Sequence, residues 1–260
     1  MDEHQEPVAY AVDGAVATIT MRTPSLGLAA RQMLLAAVTE AAADDGIRAV
    51  VLTGSGRFFT AGQDLREHAD ALRGPGAFDT ITAHYNPLVT TLATMAKPVL
   101  AAINGSCAGA GLSLALACDL RIAALEARFT TAFTGIGLTP DSGLSASLSR
   151  AVGTARASEL IMLAAPFTAE EALSWGIVGR VVPAGDLATT ARDIAAGLAA
   201  GPTLAYATAK RAIRQAWASP WPDLLTAEAR DQAALGATAD HRGAVDAFLG
   251  KRRPEFTGRE

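Results

Sequence analysis

Apolar residues along this chain fall into short blocks that switch between the two-residue period of strands and the 3.6-residue period of helices. Val8 to Met21 alternates apolar and small polar positions around the turn dipeptide Asp13-Gly14, which predicts an opening hairpin of YAV and AVATITM. Thr23-Pro24-Ser25 breaks it, and Ala29 to Ala43 then carries Met33, Leu34, Ala37, Val38 and Ala41 at helical spacing. Asp44-Asp45-Gly46 ends that helix, and Arg48 to Thr53 (RAVVLT) reads as a buried strand closing at Gly54-Ser55-Gly56. This β-α-β order predicts a right-handed parallel unit. Phe58 to Leu65 (FFTAGQDL) then sets a glycine, Gly62, where a strand end meets a coming helix, and the N–H of Gln63 could point out of the sheet edge. After a loop at Arg73 to Gly76, Thr80 to Ala96 forms a second helix with a kink near Pro87.

Pro98 to Asp119 concentrates the pattern. Pro98 to Ile103 (PVLAAI) suits a buried strand, Gly105, Gly109 and Gly111 form a turn, and Leu112 to Ala117 is an apolar helical segment. Strand, glycine turn and helix leave the first N–H groups of the helix free to bind an anion or a developing negative oxygen. A phosphate loop would need Lys after its last glycine, whereas Leu112 and Ser113 follow Gly111, so nucleoside triphosphate chemistry is disfavoured. Close packing of helix on sheet accounts for the same glycines equally well at this point. Leu120 to Ala123 is a further short strand, and Phe129 to Ser142 is irregular and rich in Thr and Gly, a setting suited to function. From Gly143 onward the pattern is helical: 148–165, 168–176, 184–200, 202–217, 223–235 and 240–249. Thr168 and Glu171 have capping-box spacing. The first six residues and Phe256 to Glu260 are expected to be disordered.

Composition narrows the function. At 260 residues, half of them hydrophobic and 5% aromatic, the chain can bury one sizeable α/β core built from Ala, Leu, Val and Ile. Lys and Arg number 22 against 26 Asp and Glu, and the resulting charge of −4 gives no footprint for nucleic acid or an anionic membrane. No apolar run is long enough to span a bilayer. Met1 to Tyr10 is acidic and polar, unlike a signal peptide, and Cys107 and Cys118 are too few for a disulfide framework, so a cytoplasmic location is expected. His4, His68, His84 and His241 have no pairing that would make a zinc site.

Two N–H-presenting turns, Gly62-Gln63 and Gly109-Ala110-Gly111, thus stand on neighbouring strands of one predicted sheet. With KPVLAAINGSCAGAG, LALACD and FTAEEALSWGIVGRVVP, they give the chain a resemblance to the crotonase superfamily of enoyl-CoA hydratases and isomerases over nearly its whole length. The resemblance implies an α/β fold, a spiral of ββα units with a helical C-terminal oligomerisation region. It implies a core over residues 1–200 that binds acyl-CoA and a helical region over 201–260 that packs on it and on neighbouring subunits. The N–H groups of Gln63 and Ala110 would hold a thioester oxygen, and the assembly would be a trimer or a dimer of trimers. A thioester that becomes an enolate puts charge on its carbonyl oxygen, and two fixed N–H donors stabilise that charge without reorganising. No cofactor is called for, because coenzyme A enters as part of the substrate.

The carboxylates depart from the hydratase pattern. Hydratases of this family carry two glutamates at the positions matching Ser113 and Phe133, and neither of these can act as a strong base. Asp141, in IGLTPDSG, resembles the aspartate of ring-epoxide phenylacetyl-CoA isomerases and of some aromatic acyl-CoA dehalogenases. The isomerase group is the better match through YNPLV, AGAG, ALACD and GLTPDSG. One carboxylate suffices to move a proton between two carbons, and burial beside Phe133 would raise its pKa. An N-cap or turn role after Pro140 is the plain alternative for Asp141.

For substrate contact the expectation names Gly62, Gly109, Ser113, Phe133 and Asn86, with tight packing the alternative for Ser113 and a structural polar role favoured for His84. Cys107 and Cys118 are expected to be packing residues. By the same resemblance, Leu28, Ala29, Asp64, Leu65 and Arg66 lie along coenzyme A, joined by Lys251 from a neighbouring subunit; as plain sequence, Lys251-Arg252-Arg253 is a solvated helix end. The expected activity is that of an acyl-CoA isomerase, with a weak hydratase or a non-catalytic acyl-CoA-binding paralogue as alternatives.

Overall fold

The computed structural model describes residues 6–258. In chain order the elements are β1 (Val8–Asp13), β2 (Val16–Met21), α1 (Leu28–Ala43), β3 (Ala49–Gly54), β4 (Phe58–Thr60), α2 (Leu65–Ala71), α3 (Asn86–Thr94), β5 (Val99–Ile103), β6 (Ser106–Ala108) and α4 (Ala110–Ala117). They continue as β7 (Leu120–Ala124), β8 (Arg128–Thr130), α5 (Leu144–Leu163), β9 (Phe167–Thr168), α6 (Ala169–Ser174), β10 (Arg180–Val182), α7 (Ala184–Ala199), α8 (Thr203–Gln215), α9 (Trp221–Gly236) and α10 (Ala239–Leu249).

Two sheets share the work. The larger has six strands in the order β1-β2-β3-β5-β7-β10, and the smaller has four in the order β4-β6-β8-β9. The predicted hairpin pairs β1 and β2 antiparallel, Asp13 opposite Val16, and β2 runs parallel to β3 with Val16 opposite Ala49. Thereafter each ββ pair sends its first strand to the large sheet and its second to the small one, as β3-β4, β5-β6 and β7-β8 do. This is the spiral of ββα units expected from the sequence.

The corner between paired strands is a detail the hydrophobic pattern missed. The glycine turn does not run straight into the helix, because Ser106–Ala108 forms β6 in between. Asn104 makes the corner by accepting from the Gly54 N–H at 3.0 Å and donating through Nδ2 to the carbonyls of Gly56 and Phe58, each at 3.0 Å. Only a residue with no side chain fits next to it: a Cβ on Gly105 would lie 2.1 Å from the Arg57 carbonyl oxygen. Likewise β8, β9 and β10 fall in stretches read as irregular or helical, since strands of two or three residues are too short to show a period.

Alternation along the large sheet separates two cores. Val50 and Leu52 of β3 face the interior with Ala101, Ile103, Leu34 and Val38, while Ala49 and Val51 face the other side with Leu100, Ala102 and Ile122. On that second face α7 lays Leu187, Ala191, Ala195 and Ala199, one apolar residue per turn. The predicted capping box is formed, Glu171 N–H donating to Thr168 Oγ1 at 3.1 Å and Thr168 N–H to Glu171 Oε2 at 2.8 Å. Helix α5 is bent at Gly153, whose φ of 76° and ψ of 161° are not helical.

The chain's end corrects another expectation. Residues 1–5 and 259–260 of the expected disordered segments lie outside the described residues, but Phe256 to Gly258 are tied down. The Asp240 carboxylate accepts from Thr257 N–H, Thr257 Oγ1 and Gly258 N–H at 2.8, 2.9 and 2.9 Å, and Arg48 donates to the Phe256 carbonyl at 2.9 Å. A short polar tail reads as disordered until its acceptor, far away in sequence, is known. Among the described residues no helix is long and apolar enough to cross a membrane.

Candidate active site

The two glycine turns meet. Gly62 has φ of 84°, and a Cβ placed on it would sit 3.0 Å from the Ala110 nitrogen. Each turn is fixed by its neighbours: the Gly62 carbonyl accepts from Leu26 at 2.8 Å, Asp64 N–H reaches the Leu26 carbonyl at 3.4 Å, and Gly109 N–H donates to the Thr130 carbonyl at 3.2 Å. The N–H groups between these anchors, on Gln63 and Ala110, have no acceptor within the described residues. Helix α4 presses on β4 just behind them, where a Cβ on Gly111 would lie 2.4 Å from the Thr60 carbonyl oxygen.

A cavity of about 130 Å³ opens in front of the turns, and Gln63, Gly109, Ala110, Phe133 and Asp141 all line it. The loop that delivers Phe133 is held by threonines reaching the far end of α5: Thr130, Thr131 and Thr134 donate to the carbonyls of Ala164, Leu160 and Ile161. The carbonyls of Ile161 and Ala164 are thereby given partners at the helix end, and that of Leu160, which already accepts from Ala164 N–H at 3.1 Å, gains a second. The hold is firm enough to keep Ala132 at φ of 63°, a conformation that non-glycine residues seldom adopt.

Asp141 is not a helix N-cap. That position belongs to Gly143, and the Asp141 carboxylate instead accepts from Ser142 Oγ at 2.6 Å, while its main-chain carbonyl accepts from Leu144 N–H at 3.0 Å. Burial raises the carboxyl's pKa above the ordinary value, and the Ser142 hydrogen bond offsets part of that rise. The result is a carboxylate in an apolar recess, a stronger base than a solvated one.

Other expected contacts fare differently. Ser113 is buried, with Oγ 3.5 Å from the Gly109 carbonyl and 3.4 Å from that of Asp141, so it ties α4 to the Asp141 loop and does not line the cavity. Asn86 is exposed and also stays outside it. The reason is a π-helical turn at Ile81–Tyr85, closed by Asn86 N–H on the Ile81 carbonyl, which adds a residue to the turn and brings Tyr85 inward instead. His84 is engaged with Thr80 Oγ1 at 3.2 Å, in keeping with a structural role.

Along the expected coenzyme A track, Leu65 lines the cavity mouth and Arg66 is exposed. Asp64 is occupied as the N-cap of α2 and by Ser25 Oγ at 2.7 Å, so its carboxylate is structural. The Leu28 N–H, at the first turn of α1, donates to Glu67 Oε2 at 2.7 Å, so that amide is already taken. Lys251 is exposed just past the end of α10. Tyr85 and His68 are among the cavity residues that escaped the sequence reading; His68 packs edge-on against Phe78 with ring centroids 5.3 Å apart. Neither carries a spacing signal, because α2 is short and the π turn shifts the helical register.

Comparison with known proteins identifies the family. The family model described as enoyl-CoA hydratase/isomerase matches residues 11–259. A Rhodobacter capsulatus protein named "Probable enoyl-CoA hydratase" is 43% identical over 256 residues, covering 97% of this chain and 98% of its own. The 1,2-epoxyphenylacetyl-CoA isomerase of Escherichia coli is 41% identical over 255 residues, covering 95% and 97%. The crystal structure of an enoyl-CoA hydratase/isomerase family protein from Mycobacterium abscessus superposes with a TM-score of 0.93 at 45% identity, covering 97% of this chain and 100% of that one. The fold is that of the crotonase superfamily. The chain belongs to the enoyl-CoA hydratase/isomerase family and is an enzyme of that family acting on acyl-CoA. The expected likeness to the ring-epoxide isomerase type is met by the Escherichia coli relative.

Proposed function

We propose that the protein is an acyl-CoA isomerase in which the N–H groups of Gln63 and Ala110 hold the thioester oxygen and Asp141 moves the proton. The observation that supports this most is that a buried carboxylate and two N–H groups without internal acceptors face one small cavity. Asp141 as carboxylate removes a proton from the acyl chain, the charge passes to the thioester oxygen between the two donors, and the carboxyl returns the proton at another carbon. Two preorganised donors stabilise that oxygen, each worth roughly 10²–10³ in rate. With Ser113 turned to main-chain carbonyls and Phe133 apolar, Asp141 is the one carboxyl among the described residues that line the cavity, which speaks against a second carboxylate to activate water for hydration.

A hydratase remains the second reading, favoured by the name of the Rhodobacter capsulatus relative. Turnover of crotonyl-CoA, a 3-enoyl-CoA and a ring-epoxide phenylacetyl-CoA by wild type and Asp141→Asn separates the two. Isomerisation that disappears in Asp141→Asn is expected; fast hydration that survives the substitution would overturn the proposal. The reading also includes a cytoplasmic trimer or dimer of trimers. Exposed Trp217, Trp221, Phe248 and Leu249 on or beside the C-terminal helices support it, and light scattering on the purified protein tests the assembly.

A further inference from the structure

Arg31 lies near the start of α1, yet it is only 4% exposed. Nothing in the helix asks for it there: the first turn holds no acidic residue, and the positive end of the helix dipole opposes a cation. Its guanidinium joins three elements that meet behind the cavity. Nη1 donates to the Leu26 carbonyl at 2.7 Å, and Nη2 pairs with Glu67 on α2. Toward the cavity wall it meets Tyr85, where burial raises the phenol's pKa while the charge of Arg31 and its hydrogen bond to the phenol pull the other way. The Glu67 side chain is 37% exposed, and pairing with a carboxylate so open to water does not by itself repay the burial of a guanidinium.

The contact with Leu26 reaches the site. Leu26 runs parallel beside Gln63, its N–H donating to the Gly62 carbonyl at 2.8 Å and its carbonyl accepting from Asp64 N–H at 3.4 Å. Successive peptide groups of an extended segment point to opposite sides, so a bridge that holds the residues before and after Gln63 sends the Gln63 N–H away from Leu26, to the cavity side. The Asp64 bond is long and the Arg31 bond to the same carbonyl is short, so the guanidinium fixes where that carbonyl lies. An Arg suits the place because its rigid fork offers one N–H group to the carbonyl and another to the carboxylate at once, which the point charge of a Lys does not. Resting on the reading of Gln63 as a donor to the thioester oxygen, we infer that Arg31 is a positioning residue for the Gln63 amide, acting through Leu26. It does not line the cavity, and it sets the aim of one of the two donors that do.

Infrared difference spectra of phenylacetyl-CoA, isotope-labelled at the thioester carbonyl and bound to the whole protein, test this. In wild type the carbonyl stretch is expected below that of the free thioester, because two N–H donors polarise the bond. Arg31→Met drops the fork and should return the stretch toward the free value. Hydrogen exchange at the carbon next to the thioester, at saturating ligand, should slow by up to about 10²-fold with little change in Kd, the mark of an interaction lost only in the transition state. Should Arg31→Met fail to fold, Arg31→Lys takes its place with the same expected loss, since a single ammonium engages the charged Glu67 in preference to a carbonyl. Glu67→Gln breaks the same ion pair but leaves Arg31 on Leu26, so it should keep the wild-type stretch, which a merely structural role for the pair would not allow. A wild-type stretch in the Arg31 variant, or an equal loss in Glu67→Gln, would overturn the inference while leaving the roles of Gln63 and Ala110 intact. No shift in wild type itself would remove those roles, and this inference with them.

Discussion

Replacing Gly62 with Ala should separate the cost to the fold from the cost to the chemistry. Gly62 sits at φ of 84°, where an L side chain adds about 1–2 kcal/mol of backbone strain. The new methyl would also stand 3.0 Å from the Ala110 nitrogen and 3.1 Å from the Ala108 carbonyl oxygen, tighter than ordinary contact, so the two turns must part by a few tenths of an ångström. For a chain of this size the strain lowers the melting temperature by about 2–8 °C. Against a usual stability of about 5–15 kcal/mol, the protein remains folded at 25 °C. The displaced donor matters far more, because losing one such N–H costs roughly 10²–10³ in turnover. Steady-state turnover of the thioester found to react, measured beside thermal unfolding, reads both effects. Full turnover in a variant that melts lower would refute the role given to these amides, as would an activity loss no larger than the unfolded fraction.

Ser142→Ala removes the 2.6 Å hydrogen bond that steadies the Asp141 carboxylate, so the acidic limb of kcat/KM should move to higher pH than in wild type. Because burial raises the Asp141 pKa in the folded state, the fold disfavours the charged form. Asp141→Asn should therefore melt above wild type at neutral pH, with the gap closing as pH falls toward the ordinary carboxylate value of about 3.9. Lys210→Met removes a buried ammonium that pairs with the partly exposed Asp119 at 2.8 Å, which should cost about 1–3 kcal/mol in denaturant unfolding. Asp240→Ala frees the tail at Thr257 and Gly258, so limited proteolysis should cut near residues 254–258 in the variant and spare the wild type.

The readable parts of the chain were those in which one local rule acts over many residues. The hairpin at Asp13-Gly14, the helix from Ala29, the all-buried β5 and the Thr168 capping box each follow from period or turn chemistry alone. What stayed hidden depends on partners distant in sequence. Asn104 turns the chain between sheets by bonding to residues 54, 56 and 58, and nothing in NGSCAG announces that a strand lies inside it. Tyr85 lines the cavity where Asn86 was expected because one extra residue in a π turn rotates a helix face by about 100°. Asp141 was found through family resemblance; its own neighbours suggest only a turn, and its burial comes from packing that the sequence does not display. The glycines at 62 and 111 were visible as glycines, but the close approach that demands them appears only once the strands are paired.

The most direct measurement is hydrogen exchange at the carbon next to the thioester, followed by NMR with phenylacetyl-CoA and the enzyme in heavy water. Wild type should wash deuterium into that position, and Asp141→Asn, still binding the thioester, should do so about 10²–10⁴-fold more slowly. Exchange that continues unabated in Asp141→Asn would contradict the assignment of proton transfer to this carboxylate.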